Sequence, residues 1–355
     1  MMKSRLTKIF GIDIPIIQAG MAGGPAGAAL AAEVSAAGGL GTIGAGYMSP
    51  EEIIRQINSV KKQTDKPFAV NLFLPEAEAV FSEDKVYVMQ NKLNDFREKL
   101  GLEKKKDFSR PSFSFVEQLE AALECGAKHF SFTFGCPPEF VMKKLKKHGA
   151  TVTGTATSAD EAVQLELAGV DVIAAQGSEA GGHRGTFSGD PLSQLTGTIA
   201  LVPLIADSVS IPIAAAGGIM DGRGIAAAFS LGADGAMLGT AYLTSEESGA
   251  SKIHKHTLLN SKVPTGLTKG FSGKYARGIQ NYMMEELDEL AEHLPYPIQH
   301  YVTSDIRKAA AEQGRSDMTS MWAGQAYSMS KECQAGALTK QLWKEAMDVV
   351  NSLKF

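Results

Sequence analysis

Short apolar segments alternate with helical segments along most of the chain, and this alternation constrains the fold more than any other feature. The segment 41–45 is an apolar run with small residues at its end, and residues 50–63 follow it with helical spacing. Short apolar runs are typical of buried strands. Strands that alternate with helices predict a parallel sheet covered by helices.

Eight strands are predicted in this way, and their number decides between two parallel architectures. They are residues 15–19, 41–45, 68–73, 129–134, 151–155, 170–175, 211–216 and 233–239. Eight strand–helix units close into a (β/α)8 TIM barrel. A doubly wound open sheet is the weaker alternative. We therefore predict an α/β fold, a TIM barrel with a small C-terminal helical cap.

Regularly spaced strands are predicted only in the first part of the chain, and this divides the chain into three regions. The barrel is predicted over residues 1–245, with a charged excursion at 76–111, a helical cap at 246–317, and a segment at 318–355 that packs back on the barrel. The cap is expected to contain helices at 248–260, 281–293 and 303–312, with a glycine-rich link at 266–273.

Composition excludes several classes of function. The net charge is −4, with 35 basic and 39 acidic residues, and no long basic block is present. Nucleic acid and anionic membranes are therefore not expected as partners. The apolar runs are too short for membrane spans, and residues 1–9 lack a signal-peptide core. Three cysteines without paired or metal-type spacing predict a reduced, cytoplasmic protein and no metal site.

A glycine-rich loop follows the sixth predicted strand and indicates a ligand site. Residues 176–185 contain four glycines, the amide of Gln176 and the imidazole of His183. Glycine is used where a loop needs positive φ or close approach to a ligand. Histidine is the side chain that titrates near neutral pH, and barrel enzymes keep catalytic groups at the carboxyl ends of strands. We predict a ligand cradle with His183 as the base beside it.

Glycines also end the seventh and eighth predicted strands, which indicates a phosphate pocket. Gly217 and Gly218 follow one strand, Gly239 ends the next, and Asp221 is placed to cap the helix between them. In TIM barrels this position commonly binds phosphate through backbone N–H groups and a helix N-terminus, so no Lys or Arg is required.

Other candidate residues have two interpretations each. The amides of Asn71 and Gln176 either tie loops together or meet a ligand ring. The small residues after the first strand, Met21 to Gly23, either allow a flat ligand to lie close or form a tight turn. Residues 322–325 belong either to cap packing or to the pocket lining. Cys136 is expected to be unreactive, and the histidines other than His183 are expected at the surface or in the cap.

Taken together, these segments resemble the class I nitronate monooxygenases, formerly called 2-nitropropane dioxygenases. The resemblance covers nearly the whole chain, and the run Glu179–Gly185 is its most specific part. It also rests on residues 15–24, 71–73, 216–219, 237–240 and 322–325.

The resemblance implies FMN as cofactor and His183 as the catalytic base. The phosphate would lie on Gly181, Gly218, Gly239 and Thr240, the amides of Asn71 and Gln176 would address the ring, and Met21 to Gly23 would lie along its edge. The full set of implied FMN-binding residues is Met21, Ala22, Gly23, Asn71, Gln176, Gly181, Gly182, Gly217, Gly218, Met237, Leu238, Gly239 and Thr240.

The implied reaction is the oxidation of an alkyl nitronate, of the propionate 3-nitronate type, by O2 to a carbonyl compound and nitrite. An FMN-dependent enoyl-acyl-carrier-protein reductase is the first alternative, and an NAD(P)H:quinone reductase is the next. The enoyl reductases usually carry an acid where this chain has Gln176 and a bulky aromatic residue near Gly23. A binding barrel without activity would need no titrating group at position 183. A homodimer is compatible with the sequence.

Overall fold

The computed structural model describes residues 4–75 and 81–352. Residues 76–80 of the predicted excursion and residues 353–355 of the predicted C-terminal segment lie outside the described residues. The strands are, in chain order, β1 (Ile16–Gln18), β2 (Gly41–Gly44), β3 (Phe68–Phe73), β4 (His129–Thr133), β5 (Thr151–Ala156), β6 (Val172–Gln176), β7 (Gly182–His183), β8 (Ile213–Ala216), β9 (Gly235–Leu238), β10 (Thr265–Thr268) and β11 (Ala276–Ile279).

Eight parallel strands form the barrel, in the order β1-β9-β8-β6-β5-β4-β3-β2. The sheet closes where Gln18 N donates to Leu40 O and Leu40 N donates to Ile16 O, both at 2.9 Å. Strands β2 and β8 are buried along their whole length. This is expected of a parallel sheet that is covered on both faces. The predicted TIM barrel is confirmed.

Helices stand between the strands, and local signals explain where they begin. They are α1 (Arg5–Phe10), α2 (Ala28–Ala36), α3 (Pro50–Gln63), α4 (Glu83–Lys99), α5 (Phe115–Glu124), α6 (Glu139–Lys147), α7 (Ala159–Leu167), α8 (Thr198–Ala206), α9 (Gly222–Ser230), α10 (Thr240–Leu243), α11 (Lys252–Asn260), α12 (Tyr282–Asp288), α13 (Ile298–Glu312) and α14 (Ala335–Ser352). Helix α3 begins as predicted because Ser49 Oγ accepts from Glu52 N at 3.3 Å and Pro50 occupies the first helical position.

The amino-terminal end of the barrel is filled by apolar side chains. Leu6 and Phe10 of α1 pack against Ile17, Ala69 and Val172 from the starts of the barrel strands. Burial of these side chains stabilises the closed end through the hydrophobic effect. The carboxyl ends of the strands are left as the side on which a ligand site can open.

The predicted excursion and the predicted cap share one hydrophobic core. Leu93 and Phe96 of α4 lie in a buried cluster with Leu287 of α12 and with Val302 and Ile306 of α13. Because α4 is separated from α13 by about half the chain, this contact is not visible as a local pattern. Helix α4 is therefore packed as part of the cap, although it is inserted between β3 and β4.

The cap also contains strands, where the sequence predicts a glycine-rich link. Strands β10 and β11 pair antiparallel, and β11 pairs in turn with β7, so that Ala276 lies opposite His183. Both strands are four residues long and contain a glycine, so neither shows a clear alternation. The prediction of a link over 266–273 is wrong in this respect. Along residues 4–75 and 81–352, no helix is long and apolar enough to span a bilayer.

Candidate active site

A cavity of about 600 Å³ lies at the carboxyl ends of the barrel strands, between the barrel and the cap. The predicted site residues all line it: Met21, Ala22, Gly23, Asn71, Gln176, Gly181, Gly182, His183, Gly217, Gly218, Met237, Leu238, Gly239 and Thr240. They come from five different strand ends, and the barrel brings these ends together. Their individual roles stay predictions.

Glycine backbone forms one end of the cavity. Gly217 and Gly218, which follow β8, have φ angles of +115° and +71°. Such angles favour glycine, because a Cβ atom strains them. At Gly181 a Cβ atom would lie 2.5 Å from the backbone of residues 323 and 324. This end of the cavity, formed by Gly181, Gly217 and Gly218 and called the cradle below, is therefore lined by backbone. It leaves space for a bulky anion.

The segment 322–325 completes the cradle from the other side. Gly324 N donates to Thr240 Oγ1 at 3.0 Å, and Gln325 N donates to Glu179 O at 2.9 Å. Trp322 lines the cavity and its ring centroid lies 5.5 Å from that of His183. The segment therefore serves both roles that the sequence left open, packing and lining.

Glu179 and Asp221 support the cradle as helix caps. The Glu179 carboxylate accepts from Thr198 N at 2.9 Å, at the start of α8. The Asp221 side chain accepts from Arg223 N and Gly224 N and caps α9, as predicted. Both carboxylates satisfy backbone donors that would otherwise lack partners.

Replacement of Gly218 should weaken the binding of an anionic cofactor in this cradle. An aspartate there adds a negative charge at the cradle, beside the Glu179 side chain, whose Cβ would lie 3.3 Å from the new Cβ. We expect Gly218→Asp to raise the Kd for FMN roughly 10- to 100-fold, by repulsion of the phosphate. Gly218→Asn is the matched control, because it has the same shape and backbone strain without the charge. Equal loss in the two variants, measured by flavin fluorescence titration, would contradict a charge effect.

In the Asn71 side chain, Nδ2 is hydrogen-bonded, whereas Oδ1 has no partner among the described residues. Its Nδ2 donates to Ser131 Oγ at 2.7 Å, which ties β3 to β4. Its Oδ1 is buried and has no hydrogen-bond partner among the described residues. Because buried polar atoms are nearly always paired, a ligand donor is the natural partner of this oxygen.

Gln176 and Arg184 hold the glycine-rich loop in place. Gln176 Nε2 donates to His183 O at 2.9 Å, and Gly185 N donates to Gln176 Oε1 at 2.7 Å. Arg184 is buried, and its guanidinium donates to the carbonyl of Gly177 at 2.7 Å. The loop-tying interpretation of Gln176 is therefore correct, and its contact with a flavin ring stays a prediction.

His183 lies on β7, half-buried, at the junction of the barrel loop and the cap sheet. Its Nε2 lies 2.8 Å from Ser272 Oγ, which donates its proton to Lys274 O at 3.1 Å. Ser272 must then accept from His183, so the imidazole carries its proton on Nε2 and presents Nδ1 as the acceptor. Burial, with the charges of Arg307 and Lys274, lowers the pKa of His183 to about 3. The imidazole is therefore a neutral base at physiological pH.

An aromatic wall and a second histidine, which the sequence analysis missed, face His183. Rings of Phe134 and Tyr296 lie 5.6 and 6.0 Å from the His183 ring, and Tyr47 is stacked on His300 at 4.1 Å. His300 and Arg307 both line the cavity. Their spacing of seven residues along α13 puts them on one helix face, and this periodicity was a usable signal.

Two other expectations concern residues outside the cavity lining. Cys136 donates to Gln164 O at 3.8 Å and burial raises the pKa of its thiol, as expected for an unreactive cysteine. His129 was expected at the surface or in the cap, and this is wrong. It lies at the start of β4, with its ring 5.3 Å from that of Phe10, because the barrel end is closed by α1.

Comparison with known proteins decides the family. The chain matches the model of the family described as nitronate monooxygenase over residues 3–345. It belongs to the nitronate monooxygenase family. A probable nitronate monooxygenase from Staphylococcus saprophyticus is 43% identical over 355 residues, which cover 99% of each chain. The suspected family is thereby confirmed, and the protein is an oxidoreductase.

Solved structures agree with this membership of the nitronate monooxygenase family. A nitroalkane oxidase from Streptomyces ansochromogenes superposes with a TM-score of 0.90 at 36% identity, covering 98% of this chain and 99% of its own. FabK from Thermotoga maritima gives a TM-score of 0.79 at 28% identity, covering 100% and 99%. Both similarities extend over barrel and cap together.

Proposed function

We propose that the protein binds FMN and oxidises alkyl nitronates of the propionate 3-nitronate type with O2, giving a carbonyl compound and nitrite. The observation that carries the proposal is the shared cavity, in which a neutral imidazole at His183 and the glycine cradle at Gly217 and Gly218 lie together. Membership of the nitronate monooxygenase family and the likeness to a nitroalkane oxidase support the same reaction class.

The residues present fit FMN. Backbone N–H groups around Gly181 and Gly218 suit a terminal phosphate, and no side-chain Cβ obstructs that end. The unpaired Oδ1 of Asn71 suits an N–H group of a flavin ring. Met21 to Gly23 and Thr240 would hold the remainder of the cofactor. When bound, FMN supplies the electron acceptor for the oxidation.

His183 is proposed to handle the proton. A nitroalkane is a weak carbon acid, and its conjugate base, the nitronate, spreads the negative charge over two oxygens. The unprotonated Nδ1 of His183 takes the α-proton of a neutral nitroalkane, while Ser272 holds the ring by its Nε2–H. The anion formed then stabilises the protonated imidazole beside it, since an adjacent opposite charge favours the charged form.

The aromatic wall is proposed to exclude water from the reacting carbon. Tyr47 is half-buried, and desolvation raises its pKa to about 12. Its hydroxyl lies 3.5 Å from that of Tyr296. The Tyr47 hydroxyl therefore stays protonated and serves as a neutral donor. A low-polarity wall strengthens the attraction between the imidazolium and the nitronate.

A comparison of two assays tests the proposed function. Purified holoenzyme should consume O2 and release nitrite when a nitronate is added. Under the same conditions, NADH oxidation with a quinone or with an enoyl thioester should be at background. Turnover of the thioester or the quinone, without nitrite release from nitronates, would favour one of the two reductase alternatives.

We expect the cofactor to be non-covalent FMN rather than FAD. The cradle after β8 and β9 accommodates a terminal monophosphate, and the sequence contains no second nucleotide-binding fingerprint. Mass spectrometry of the flavin released by heat distinguishes the two cofactors directly. Release of FAD, or a colourless protein that does not take up FMN, would refute the assignment.

A further inference from the structure

The guanidinium of Arg307 is a positive charge in the cavity lining, and among the described residues it forms no ion pair with a carboxylate. Its neighbours are neutral: Thr303 Oγ1 at 3.1 Å, Ser320 Oγ at 3.4 Å, and the carbonyl and Nδ1 of His300, each at 3.1 Å. In the described part of the chain, no carboxylate lies within 4 Å of it. The nearest acid on its own helix, Asp305, is bonded to Arg97 and Lys105 instead.

An unpaired charge in such a place is unusual. Arg307 is half-buried, and burial lowers its pKa to about 10, so the group is desolvated but still charged at neutral pH. Charges removed from water are normally paired, because desolvation without a partner is costly. A guanidinium has five N–H donors, and the four contacts of Arg307 leave one of them for a ligand. A hydrogen bond from a charged donor to a carboxylate is about twice as strong as one between neutral groups. A ligand with a carboxylate would supply the missing partner.

The contacts of Arg307 connect it to His183 rather than to the phosphate cradle. The cradle uses backbone N–H groups and needs no cation. Arg307 instead contacts His300, which stacks on Tyr47. The Tyr47 hydroxyl lies 3.5 Å from that of Tyr296, whose ring neighbours His183. The guanidinium is close enough to be one of the charges that lower the pKa of His183. Both groups line the same cavity, so we expect one small molecule to contact both.

The hydrogen bond from Arg307 also determines the tautomer of His300. Arg307 donates to His300 Nδ1, so the proton of this neutral imidazole is on Nε2. His300 therefore offers a donor rather than a base. Arg307 and His300 together form a donor set that suits an anion.

We propose that Arg307 binds a carboxylate at the end of the substrate opposite the nitronate, and so selects short nitronates that carry a second negative charge over plain alkyl nitronates. The inference rests on the proposed function and assigns a specificity residue within it. Arg307 is not proposed to touch the reacting carbon.

Two substrates of matched shape test the selection. In 3-methylbutyl 1-nitronate, two methyl groups take the place of the carboxylate oxygens of propionate 3-nitronate. We expect Arg307→Gln to raise the KM for propionate 3-nitronate roughly 10- to 100-fold, the loss of a charged hydrogen bond, with little change in kcat. The KM for the methyl analogue should change little. Arg307→Lys should restore part of the affinity.

A control variant distinguishes a bound ion pair from a general electrostatic effect. Lys308, the next residue on α13, also lines the cavity, so the control is taken from α11. Lys252 of α11 is exposed and lies outside the cavity lining. Lys252→Gln removes one positive charge from the cap, and we expect the KM for both substrates to remain near the wild-type value. An effect of Lys252→Gln equal to that of Arg307→Gln would overturn the proposal.

A binding measurement keeps the inference separate from the proposed reaction. Succinate has two carboxylates and butanoate has one, and neither can be turned over as a nitronate. Calorimetry on the holoenzyme should show tighter binding of succinate, and Arg307→Gln should remove that advantage. If the wild type shows this pattern but does not oxidise nitronates, the proposed function fails while the anion site stands. Equal loss for both nitronates in Arg307→Gln, or no loss for either, would overturn the anion site.

Discussion

The variant His183→Asn should lose turnover of neutral nitroalkanes and retain turnover of preformed nitronates. Removal of a general base typically lowers the rate about 10²- to 10⁴-fold. A preformed nitronate has already lost its α-proton, so the missing base affects it far less. FMN should stay bound, because glycine backbone at Gly217 and Gly218, and not the imidazole, is expected to hold the phosphate. The measurement is kcat/KM for each substrate form, with flavin content determined on the same sample.

The pH profile of the wild type provides an independent check on His183. An ordinary histidine has a pKa near 6.5, and a base is lost when the pH falls through its pKa. Burial lowers the pKa of His183 to about 3. We therefore expect kcat/KM for a neutral nitroalkane to stay level from pH 7 down to about pH 5 rather than to fall below 6.5.

A surface histidine serves as the control for the same substitution. His148 is exposed at the end of α6, where its Nδ1 lies 2.8 Å from Lys144 O, and it is outside the cavity lining. His148→Asn should leave both activities unchanged. Equal loss of both activities in flavin-loaded His183→Asn would indicate a binding role for the imidazole, and unchanged nitroalkane turnover would require another base.

Substitution of Arg97 should strongly destabilise the cap. Its fully buried guanidinium binds both oxygens of Asp305, the side chains of Gln90 and Asn94, and the carbonyl of Val302. Arg97→Met fills much of the same volume but leaves these acceptors without their donor. Breaking a buried ion pair typically costs about 3–5 kcal/mol. Hydrogen exchange at the backbone amides of α13 should report the loss.

An exposed ion pair between the same regions is the control for Arg97. Lys85 Nζ lies 2.6 Å from Glu292 Oε2, and both side chains are largely exposed. Exposed pairs contribute little, because water screens the charges. We expect Lys85→Met to leave hydrogen exchange in α13 near the wild-type pattern. Similar protection in Arg97→Met and wild type would show that the apolar contacts of α4 alone hold the cap.

The sequence predicts those parts of the molecule whose determinants are local. The bounds of α3 and β3 agree with the predicted residues, since Ser49 and Pro50 mark a helix start and residues 68–73 are apolar except for Asn71. The glycines of the cradle are likewise visible in the sequence, because each lies in a segment that follows a predicted strand. The barrel topology then brings the residues that carry these signals together at one site.

Features that depend on distant pairing could not be predicted in this way. The pairing of β7 with β11 joins residues more than ninety positions apart, and neither strand has enough residues to show a period. Arg307 is one of many charged residues on predicted helices, and its place in the cavity depends on how α13 docks. The network around Arg97 lies in a stretch that resembles an ordinary charged surface helix, because its partner Asp305 is 208 residues away.

The strand that carries His183 is shared between the two halves of the molecule. Its backbone continues the barrel loop on one side and pairs with β11 of the cap on the other. Its imidazole is held by Ser272, which also belongs to the cap region. A cap transplanted from a relative would therefore change how His183 is positioned, because the cap supplies the residues that pair with β7 and hold the imidazole. Exchange of substrate preference by swapping caps requires that β7, β11 and residue 272 move together as one unit.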